Sequence, residues 1–419
     1  MNSFNDYLEN VFHLDVKKME IIFKDLNDLK LNLDAFSFVV AKIKKQFSIY
    51  INKKEVIFQE GKKYIIPIYI LYDLFNIKNE YLGYLDKTDV KFSDILKLYN
   101  DENLNNKTIL LFRTGGIGDL IFIQPSLFEI KRRFPSCKIW FATIPSNFDL
   151  IKNWSCIDQI LTIPIEYDIF MEADFRVSFH GVIEKTKQAE KENAYILFNK
   201  WLNLNSDVKK LYPKLETEKN NDKYIQKILK KFQIKDYIYI QPNASVVLRT
   251  PGLTTWLYII SYFVDQKKQI IINTKPEHKK MVDYIISFVK PQYRQYIFNL
   301  SEYSTSLGKM MSFIKFSNLV IAPDSSSIHL AAGLNKYVYG IYGPFPGEIR
   351  MSTYKKAKWI EPDSPKEKII QCKYGGKHCC LHTSSPCPYN IKNISACFYN
   401  LNYEKMYKDL DHFYNRIFK

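Results

Sequence analysis

The sequence of 419 residues has no apolar run long enough to cross a membrane and no signal-peptide pattern at its start. Its longest apolar stretches, such as residues 65–72 and 319–322, fall short of the roughly 20 residues that span a bilayer. Residues 1–6 lack the charged and apolar segments of a signal peptide. From these two absences we expect a cytoplasmic protein.

Internal repeats and low-complexity tracts are also absent, and so are two familiar nucleotide-binding patterns. Gly115, Gly116 and Gly118 follow an apolar run, but their spacing is not that of the Gly-x-Gly-x-x-Gly dinucleotide fingerprint. They do not form a Walker loop either, because no Gly-Lys-Ser/Thr follows. Neither pattern therefore explains these glycines.

Acidic residues are fewer than basic ones. The chain has 60 Lys and Arg and 44 Asp and Glu, which gives a net charge of +16. Such a surface attracts polyanions, among them nucleic acids, anionic lipids and sugar nucleotides. The basic residues form short clusters along the whole chain, for example at 42–45 and 355–356, and do not form one basic arm. A specific role in nucleic-acid binding is therefore disfavoured.

Changes in residue pattern predict four segments and an α/β fold. Residues 1–104 form an accessory α+β domain, with helical spacing followed by short strands. Residues 105–225 and 226–350 each alternate strands with helices, which predicts two Rossmann-like domains with parallel sheets. Residues 351–419 hold a cysteine-rich segment and an amphipathic closing helix at 403–418. We expect the ligand at the carboxyl ends of the parallel strands.

The first candidate site is the turn from Arg113 to Asp119. An apolar strand pattern ends there, and a helical pattern begins at its far end. Glycines let the backbone approach a ligand closely, and the N–H groups of a helix N-terminus favour an anion. Thr114, Gly115 and Gly116 are thus candidate contacts to an anionic ligand, and the alternative is a glycine-rich turn that serves packing alone.

This run resembles the opening of glycosyltransferase family 9, the ADP-heptose:lipopolysaccharide heptosyltransferases. The resemblance rests on the pair Gly118-Asp119, on Pro125, and on a helix that ends at Phe134-Pro135. It covers about residues 108–400 and implies the GT-B architecture of two Rossmann-like domains. It also implies that Asp119 is the general base that takes the proton from the acceptor hydroxyl. The alternative is that Asp119 only caps its helix.

A second stretch similar to the family follows the strand predicted at 237–240. There Asn243-Ala244-Ser245 is followed by Arg249 before a proline. The resemblance implies that Arg249 holds the phosphates of the donor and offsets the charge of the departing diphosphate. Asn243 and Ser245 are assigned to the same nucleotide-sugar site. The alternative for Arg249 is a solvated surface residue.

The third stretch, Asp324-Ser325-Ser326 with His329, is similar to the family's Asp-Thr/Ser-Gly-x-x-His signature. The resemblance implies a diphosphate at a helix N-terminus, with His329 facing the same ligand. Ser326 departs from the family, which usually has glycine there, and its Cβ is expected to crowd the phosphate. The alternatives are that His329 is a core residue and that Asp324 is an N-cap.

Glu277 follows the strand predicted at 269–273 and matches the family's acidic residue that holds the ribose of the nucleoside. A carboxylate is suited to this because it accepts hydrogen bonds from both ribose hydroxyls. The alternative is a first-turn glutamate that stabilises its own helix.

Cysteines crowd the end of the chain, and in a cytosolic protein such a cluster favours metal ligands over disulfides. The spacing does not fix the ligand set. The resemblance extends to bacterial autotransporter heptosyltransferases, which carry an iron-bound cysteine finger after the GT-B core. It implies a structural iron or zinc, with thiols that bind no metal as the alternative. The candidate ligands are Cys372, Cys379, Cys380, Cys387 and Cys397.

Taken together, the resemblance implies a metal-independent, inverting glycosyltransferase that carries heptose from ADP-heptose to a hydroxyl of a lipopolysaccharide or other saccharide. No Asp-x-Asp run occurs within 105–350 to hold a divalent ion against the diphosphate. The first alternative is a protein O-heptosyltransferase of the autotransporter type. The second is a non-catalytic nucleotide- or nucleic-acid-binding protein. If the acceptor is lipid-linked, we expect the protein to contact the inner face of the inner membrane. The sequence does not decide whether the protein forms a homo-oligomer.

Overall fold

The structure, a computed structural model, describes residues 38–51, 54–67, 70, 82–84, 102–183, 187–362, 387 and 394–418. The chain divides into two units. The first unit holds the residues up to 189 together with 194–207, and the second holds 190–193 together with the residues from 208 onward.

The first unit contains an antiparallel sheet, a hairpin and a parallel sheet. Its strands are β1 (Phe38–Ile43), β2 (Phe47–Ile51), β3 (Lys54–Phe58), β4 (Lys63–Pro67), β5 (Leu82–Tyr84), β6 (Thr108–Phe112), β7 (Lys138–Thr143), β8 (Gln159–Thr162), β9 (Ile165–Glu166) and β10 (Phe175–Ser178). The antiparallel sheet has the order β5-β1-β4-β9, and β2 pairs with β3.

The parallel sheet of the first unit has the order β10-β6-β7-β8. Every residue of β6 after Thr108 is buried, as expected of an apolar strand covered on both faces. β10 pairs with β6 in a register that sets Ser178 opposite Phe112. The segments after these two strands therefore leave the sheet at the same edge. Within the described residues of this unit, the helices are α1 (Ile117–Arg133), α2 (Phe148–Ile151), α3 (Tyr167–Glu172) and α4 (Ala194–Trp201).

The second unit is built on a six-stranded parallel sheet. Its strands are β11 (Tyr237–Ile240), β12 (Gln269–Ile272), β13 (Ile297–Asn299), β14 (Leu319–Pro323), β15 (Tyr337–Ile341) and β16 (Ala357–Ile360), in the order β13-β12-β11-β14-β15-β16. Its helices are α5 (Lys219–Lys231), α6 (Leu253–Val264), α7 (Lys279–Ser287), α8 (Leu307–Phe316), α9 (Ser326–Gly333), α10 (Gly347–Met351), α11 (Ala396–Tyr399) and α12 (Tyr403–Phe418).

The strand order reverses once in each parallel sheet. From β6 the chain moves outward through β7 and β8 and then returns to the other side as β10. From β11 it moves outward through β12 and β13 and returns to the other side as β14. In open α/β sheets, ligands bind at the carboxyl ends of the strands beside such a reversal. The segments after β6 and β10, and those after β11 and β14, are therefore the places to examine.

The amphipathic helix α12 closes the second unit on the side of α6. Its buried residues Met406, Leu410 and Tyr414 join the core that includes Phe263. The Tyr262 hydroxyl adds a hydrogen bond of 3.0 Å to the Asp411 carboxylate. The apolar face of residues 403–418 is thus covered by this unit's own core.

The structure differs from the elements predicted from the sequence at two places, and a third predicted element lies outside the described residues. The residue pattern at 276–289 predicts a helix, but this segment begins as a 3-10 turn, Pro276–His278, and becomes α-helical only at Lys279. β16 does not stand out in the sequence because it is half-exposed, with Lys358 and Trp359 in its middle. The helix that apolar spacing predicts at residues 14–33 lies outside the described residues.

Candidate active site

The turn after β6 holds the carboxylate of Asp119 against a buried guanidinium. Arg113 Nη2 donates to Asp119 Oδ2 over 2.6 Å. The side chain of Arg113 is 3% exposed and that of Asp119 is 26% exposed. The same guanidinium donates to the carbonyls of Phe179 (2.6 Å) and Gly115 (3.3 Å). One oxygen of Asp119 is therefore fixed while part of the carboxylate stays open to solvent.

Gly116 is required by this arrangement, whereas its neighbour Gly115 is not. Gly116 is the N-cap of α1 and has a φ of 71°, a conformation that residues with a side chain rarely adopt. A Cβ at Gly116 would lie 2.2 Å from Asp119 Oδ2, whereas a Cβ at Gly115 would meet nothing within 4 Å. The N-cap Gly116 has no side chain that could cap α1, and the Asp119 carboxylate has its described hydrogen bond with Arg113.

The end of β10 holds the same turn from the other side through His180. The backbone N–H of Thr114 donates to His180 Nε2 over 3.1 Å, and the Thr114 hydroxyl lies 2.9 Å from the same nitrogen. The other ring nitrogen, Nδ1, lies 3.1 Å from Ser178 Oγ. Asn147 donates to the Thr114 carbonyl over 3.0 Å. Neither His180 nor Asn147 is part of the motifs that predict the site from the sequence. The position of His180 just beyond a strand end was the available signal.

In the second unit, Arg249 and Asp324 meet from the segments that follow β11 and β14. Arg249 Nη1 lies 3.4 Å from Asp324 Oδ2, and Arg249 Nη2 donates to Ser245 Oγ over 3.0 Å. The Asp324 side chain is 8% exposed and that of Arg249 is 29% exposed. A largely buried carboxylate thus orients a guanidinium that keeps part of its surface open.

Ser325 and Ser326 lie beside this pair, at the start of α9. Ser325 is the N-cap, but its side chain makes no capping bond. Its buried Oγ has no hydrogen-bond partner among the described residues. A buried hydroxyl without a partner is costly, and a helix N-terminus attracts anions. The start of α9 beside Arg249 and Asp324 is therefore suited to an anionic group that accepts a hydrogen bond from the Ser325 hydroxyl.

His329 is buried one turn farther along α9, at 3% exposure. Its Nδ1 lies 2.7 Å from the Tyr354 hydroxyl. The pKa of His329 is lowered from 6.5 to about 3, chiefly by burial, with the Asp324 carboxylate opposing this shift and the charges of Arg350 and Arg249 adding to it. His329 is therefore neutral at ordinary pH. The described contact of this side chain is to a core tyrosine.

Asn243 and Glu277 lie on neighbouring strand ends of the same sheet. Gln241 Nε2 donates to Asn243 Oδ1 over 2.9 Å, which orients the amide at the end of β11. Glu277 lies in the 3-10 turn that follows β12, and its side chain is exposed. Both residues are on the edge that carries Arg249, but the structure gives no direct contact between them.

Two of the five cysteines proposed as metal ligands are described. Cys387 packs with Leu248 and Ala396, and Cys397 belongs to the core that contains Phe398. Cys372, Cys379 and Cys380 lie outside the described residues. Within the described part of the chain, no group of three or more His, Cys, Asp and Glu side chains is placed to hold a metal ion.

The predicted site residues thus form two sets, each within one unit. The first contains Thr114, Gly115, Gly116 and Asp119, held by Arg113 and His180. The second contains Asn243, Ser245, Arg249, Asp324, Ser325 and Ser326, with His329 beneath and Glu277 farther along the edge. Among the helices described, none is both long enough and apolar enough to cross a bilayer.

Comparison with known proteins finds one similar family. Residues 173–377 match the family model of glycosyltransferase family 9 (heptosyltransferase). No curated protein matches the chain.

Solved structures share the fold at low sequence identity. The ADP-heptose LPS heptosyltransferase II of E. coli is 13% identical with a TM-score of 0.55, covering 74% of this chain and 99% of that one. A family 9 glycosyltransferase from Veillonella parvula is 14% identical with a TM-score of 0.56, covering 75% and 99%. The iron-containing dodecameric glycosyltransferase TibC of enterotoxigenic E. coli is 12% identical with a TM-score of 0.48, covering 91% of both chains. The predicted α/β fold of GT-B type is confirmed, and the predicted resemblance to glycosyltransferase family 9 is confirmed by the family-model match over residues 173–377.

Proposed function

We propose that this glycosyltransferase moves heptose from ADP-heptose to a hydroxyl of a lipopolysaccharide or other saccharide acceptor, with inversion at the anomeric carbon. The observation that carries the proposal is the anion site of the second unit. There the Arg249 guanidinium, oriented by Asp324 and Ser245, lies beside the N-terminus of α9.

The chemistry of this corner matches a nucleoside diphosphate. A guanidinium grips phosphate oxygens with two N–H groups and offsets the charge that builds on a departing diphosphate. The helix N-terminus adds backbone N–H groups, and the Ser325 hydroxyl supplies a buried donor. Asn243 and Glu277 are proposed to bind the nucleoside, with the Glu277 carboxylate on the ribose hydroxyls.

Asp119 is proposed as the general base. It takes the proton of the acceptor hydroxyl while that oxygen attacks the anomeric carbon, and the bond to the diphosphate breaks with its electron pair leaving on ADP. One carboxylate oxygen is fixed by Arg113 and the group is partly exposed, which is suited to a base that must meet a substrate. Thr114, Gly115 and Gly116 are proposed to line the site beside it.

The choice of ADP-heptose is supported by the name of a structural relative, the E. coli ADP-heptose LPS heptosyltransferase II. His329, buried and neutral, is proposed to support the Asp324 corner through the core, and a direct part in the transfer is the alternative. A location at the inner face of the inner membrane is proposed together with a lipid-linked acceptor. Iron or zinc at the C-terminal cysteines is proposed as structural only.

A protein acceptor is the second candidate, and a cavity of about 540 Å³ in the first unit favours it. This cavity lies where β7 and β8 end, at Pro145 and Thr162, and β3 contributes a further wall. Its lining combines apolar side chains with polar ones, among them Glu55, Gln59 and Glu166. Glu166 is paired with Lys62 over 2.7 Å, so Glu55 is the carboxylate expected to repel the phosphates of a lipid-linked core. The apolar side chains of the lining suit a polypeptide segment.

Calorimetric titration with ADP, UDP, GDP and CDP tests the donor. We expect selective binding of ADP, weakened by about 1.5 to 3 kcal/mol in Arg249→Ala through loss of a charge-assisted phosphate contact. Arg416→Ala is the matched control, because Arg416 is exposed on α12 of the same unit and its loss changes the net charge equally. Preference for another nucleotide, or equal weakening in both variants, would contradict the proposed donor site.

A labelled donor then separates the two acceptors. Transfer of radiolabelled heptose to heptose-deficient lipopolysaccharide core supports the saccharide acceptor. Transfer to a co-expressed surface protein, with none to the core, supports the protein acceptor.

A further inference from the structure

We propose that His180 is a positioning residue for the transfer, and that its neutral ring with the hydrogen on Nδ1 fixes the turn that presents Asp119. This proposal rests on the proposed function in one respect, because it assumes that Asp119 acts on the acceptor. His180 itself is not expected to contact substrate.

The hydrogen bonds assign the tautomer. Because the Thr114 backbone N–H points at His180 Nε2 over 3.1 Å, Nε2 must present its lone pair and carry no hydrogen. In a neutral ring the hydrogen then lies on Nδ1 and is donated to Ser178 Oγ over 3.1 Å. Ser178 Oγ also accepts the backbone N–H of His180 over 3.2 Å, so its two lone pairs are both used.

Two consecutive residues after β10, Phe179 and His180, thereby hold two consecutive residues of the turn after β6. The Phe179 carbonyl accepts from the Arg113 guanidinium, and the next residue, His180, accepts from Thr114. Arg113 in turn holds the Asp119 carboxylate. Because these contacts are consecutive, a displacement of Thr114 also moves Arg113 and the carboxylate. A shift of about 1 Å in a catalytic group is enough to cost a hundredfold in rate.

The arrangement depends on the charge of the ring. A protonated ring has no lone pair on Nε2. The Nε2–H group and the Thr114 backbone N–H would then face each other, and the turn would lose this hydrogen bond. The charged groups of the turn are the Arg113 guanidinium and the Asp119 carboxylate, which pair with each other. On its other side the ring packs against Phe112, with the ring centres 6.0 Å apart, and a phenyl ring brings no negative charge.

Two amide substitutions separate the contacts of the ring. In His180→Gln the amide oxygen reaches the place of Nε2 and accepts from Thr114 without titrating. In His180→Asn the shorter amide reaches only the place of Nδ1, so it keeps the contact to Ser178 and loses the contact to Thr114. The two variants therefore remove the same ring, and each keeps a different one of its two contacts, to Thr114 in His180→Gln and to Ser178 in His180→Asn.

Steady-state kinetics give the first readout. We expect His180→Gln to keep kcat within about threefold of the wild type and His180→Asn to lose at least about tenfold in kcat, both with an unchanged KM for the nucleotide sugar. Thermal unfolding of both variants shows whether they fold equally well. Equal kcat in the two variants, or an effect confined to KM, would overturn the proposal.

An NMR measurement gives a second readout that needs no activity. Labelling with ¹³C-carbonyl arginine and ¹⁵N-threonine selects the amides of threonines that follow arginine, and the sequence has two, Thr114 and Thr250. We expect the Thr114 amide signal to shift on acidification in the wild type and to shift less in His180→Gln, with Thr250 as the reference. An equal response in both proteins, or none in the wild type, would overturn the assignment. Absence of transfer by the wild type, with the Thr114 response present, would instead refute the proposed function.

Discussion

Arg113 Nη2 lies 2.6 Å from Asp119 Oδ2, and the guanidinium that makes this contact is almost completely buried. The same group satisfies the carbonyls of Gly115 and Phe179, so it joins the turn after β6 to the end of β10. The position of the proposed base is thus set by a residue that is itself part of the core of the first unit.

Replacing Arg113 by methionine should therefore lower kcat by about a hundredfold, because the Asp119 carboxylate loses its fixed position. Removal of a partner from buried carbonyls should also cost about 1 to 3 kcal/mol of unfolding free energy. Steady-state kinetics and denaturant unfolding measure the two effects.

Arg176→Met is the matched control for this change. Arg176 is also buried in the first unit and donates to the carbonyls of Ala173 and Met171, but no contact to Asp119 is seen. We expect a similar loss of stability with kcat nearly unchanged. A comparable loss of kcat in both variants would show that Arg113 acts only through stability.

Gly116→Ala and Gly115→Ala form an adjacent pair with opposite expectations. A methyl group at Gly116 meets the Asp119 carboxylate and forces an unfavourable φ, which should cost about 1 to 3 kcal/mol and displace the base. The same group at Gly115 meets open space. The free energy of unfolding should therefore fall only in Gly116→Ala, and any loss of activity in Gly115→Ala should come without a loss of stability, because Gly115 is proposed to line the site. Equal destabilisation of both variants would contradict this account.

The buried His329 predicts a dependence of stability on pH. Its pKa is lowered to about 3 in the folded chain, from 6.5 when exposed. Below pH 6.5 the unfolded chain binds a proton that the folded chain does not, so this contribution to stability is lost as the pH falls toward 3. Between pH 7 and pH 5 the loss should be about 2 kcal/mol.

His329→Asn places an amide near the Tyr354 hydroxyl without a titrating ring, so its unfolding free energy should fall less over the same pH range. The difference between the two unfolding curves at pH 7 and pH 5 measures the contribution. Parallel pH dependence in both proteins would contradict the assignment of a neutral, buried His329.

Removal of a metal from the C-terminal cysteines is expected to weaken ADP binding. The Ser395 hydroxyl donates to the Leu248 carbonyl over 2.7 Å, and Cys387 packs against the Leu248 side chain. Leu248 precedes Arg249, so a change around Cys387 reaches the proposed phosphate contact. Chelation should lower ADP affinity about fivefold or more.

Elemental analysis before and after chelation gives the iron and zinc content, and calorimetry gives the affinity. Cys387→Ser should reproduce the effect of chelation, whereas Cys137→Ser, in a buried thiol of the first unit, should not. A protein isolated without iron or zinc, with full ADP affinity, would refute the metal proposal.

The fold was predictable because buried parallel strands read as continuous apolar runs. β11 and β14 occur where the sequence places strands, and α12 has the predicted bounds. β16 was missed because an edge strand with a lysine and a half-exposed tryptophan lacks such a run. The 3-10 turn at Pro276–His278 was read as helix because its composition matches a first helical turn.

The candidate site was predictable only in part, for a physical reason. Asp119, Arg249 and Asp324 occur next to strand ends within motifs that can be read locally. The roles of Arg113 and His180 depend instead on contacts between residues 66 positions apart along the chain. These contacts require the pairing of β10 with β6, which no local pattern encodes.

The central claim, that Asp119 takes the proton of the acceptor hydroxyl, is tested most directly by the rate of heptose transfer in Asp119→Asn. Asp149→Asn is the matched control, because Asp149 is likewise in the first turn of a helix that follows the neighbouring strand β7. We predict that Asp119→Asn lowers kcat at least about a hundredfold while ADP affinity is unchanged, and that Asp149→Asn retains kcat. Transfer by Asp119→Asn at the wild-type rate would contradict the mechanism.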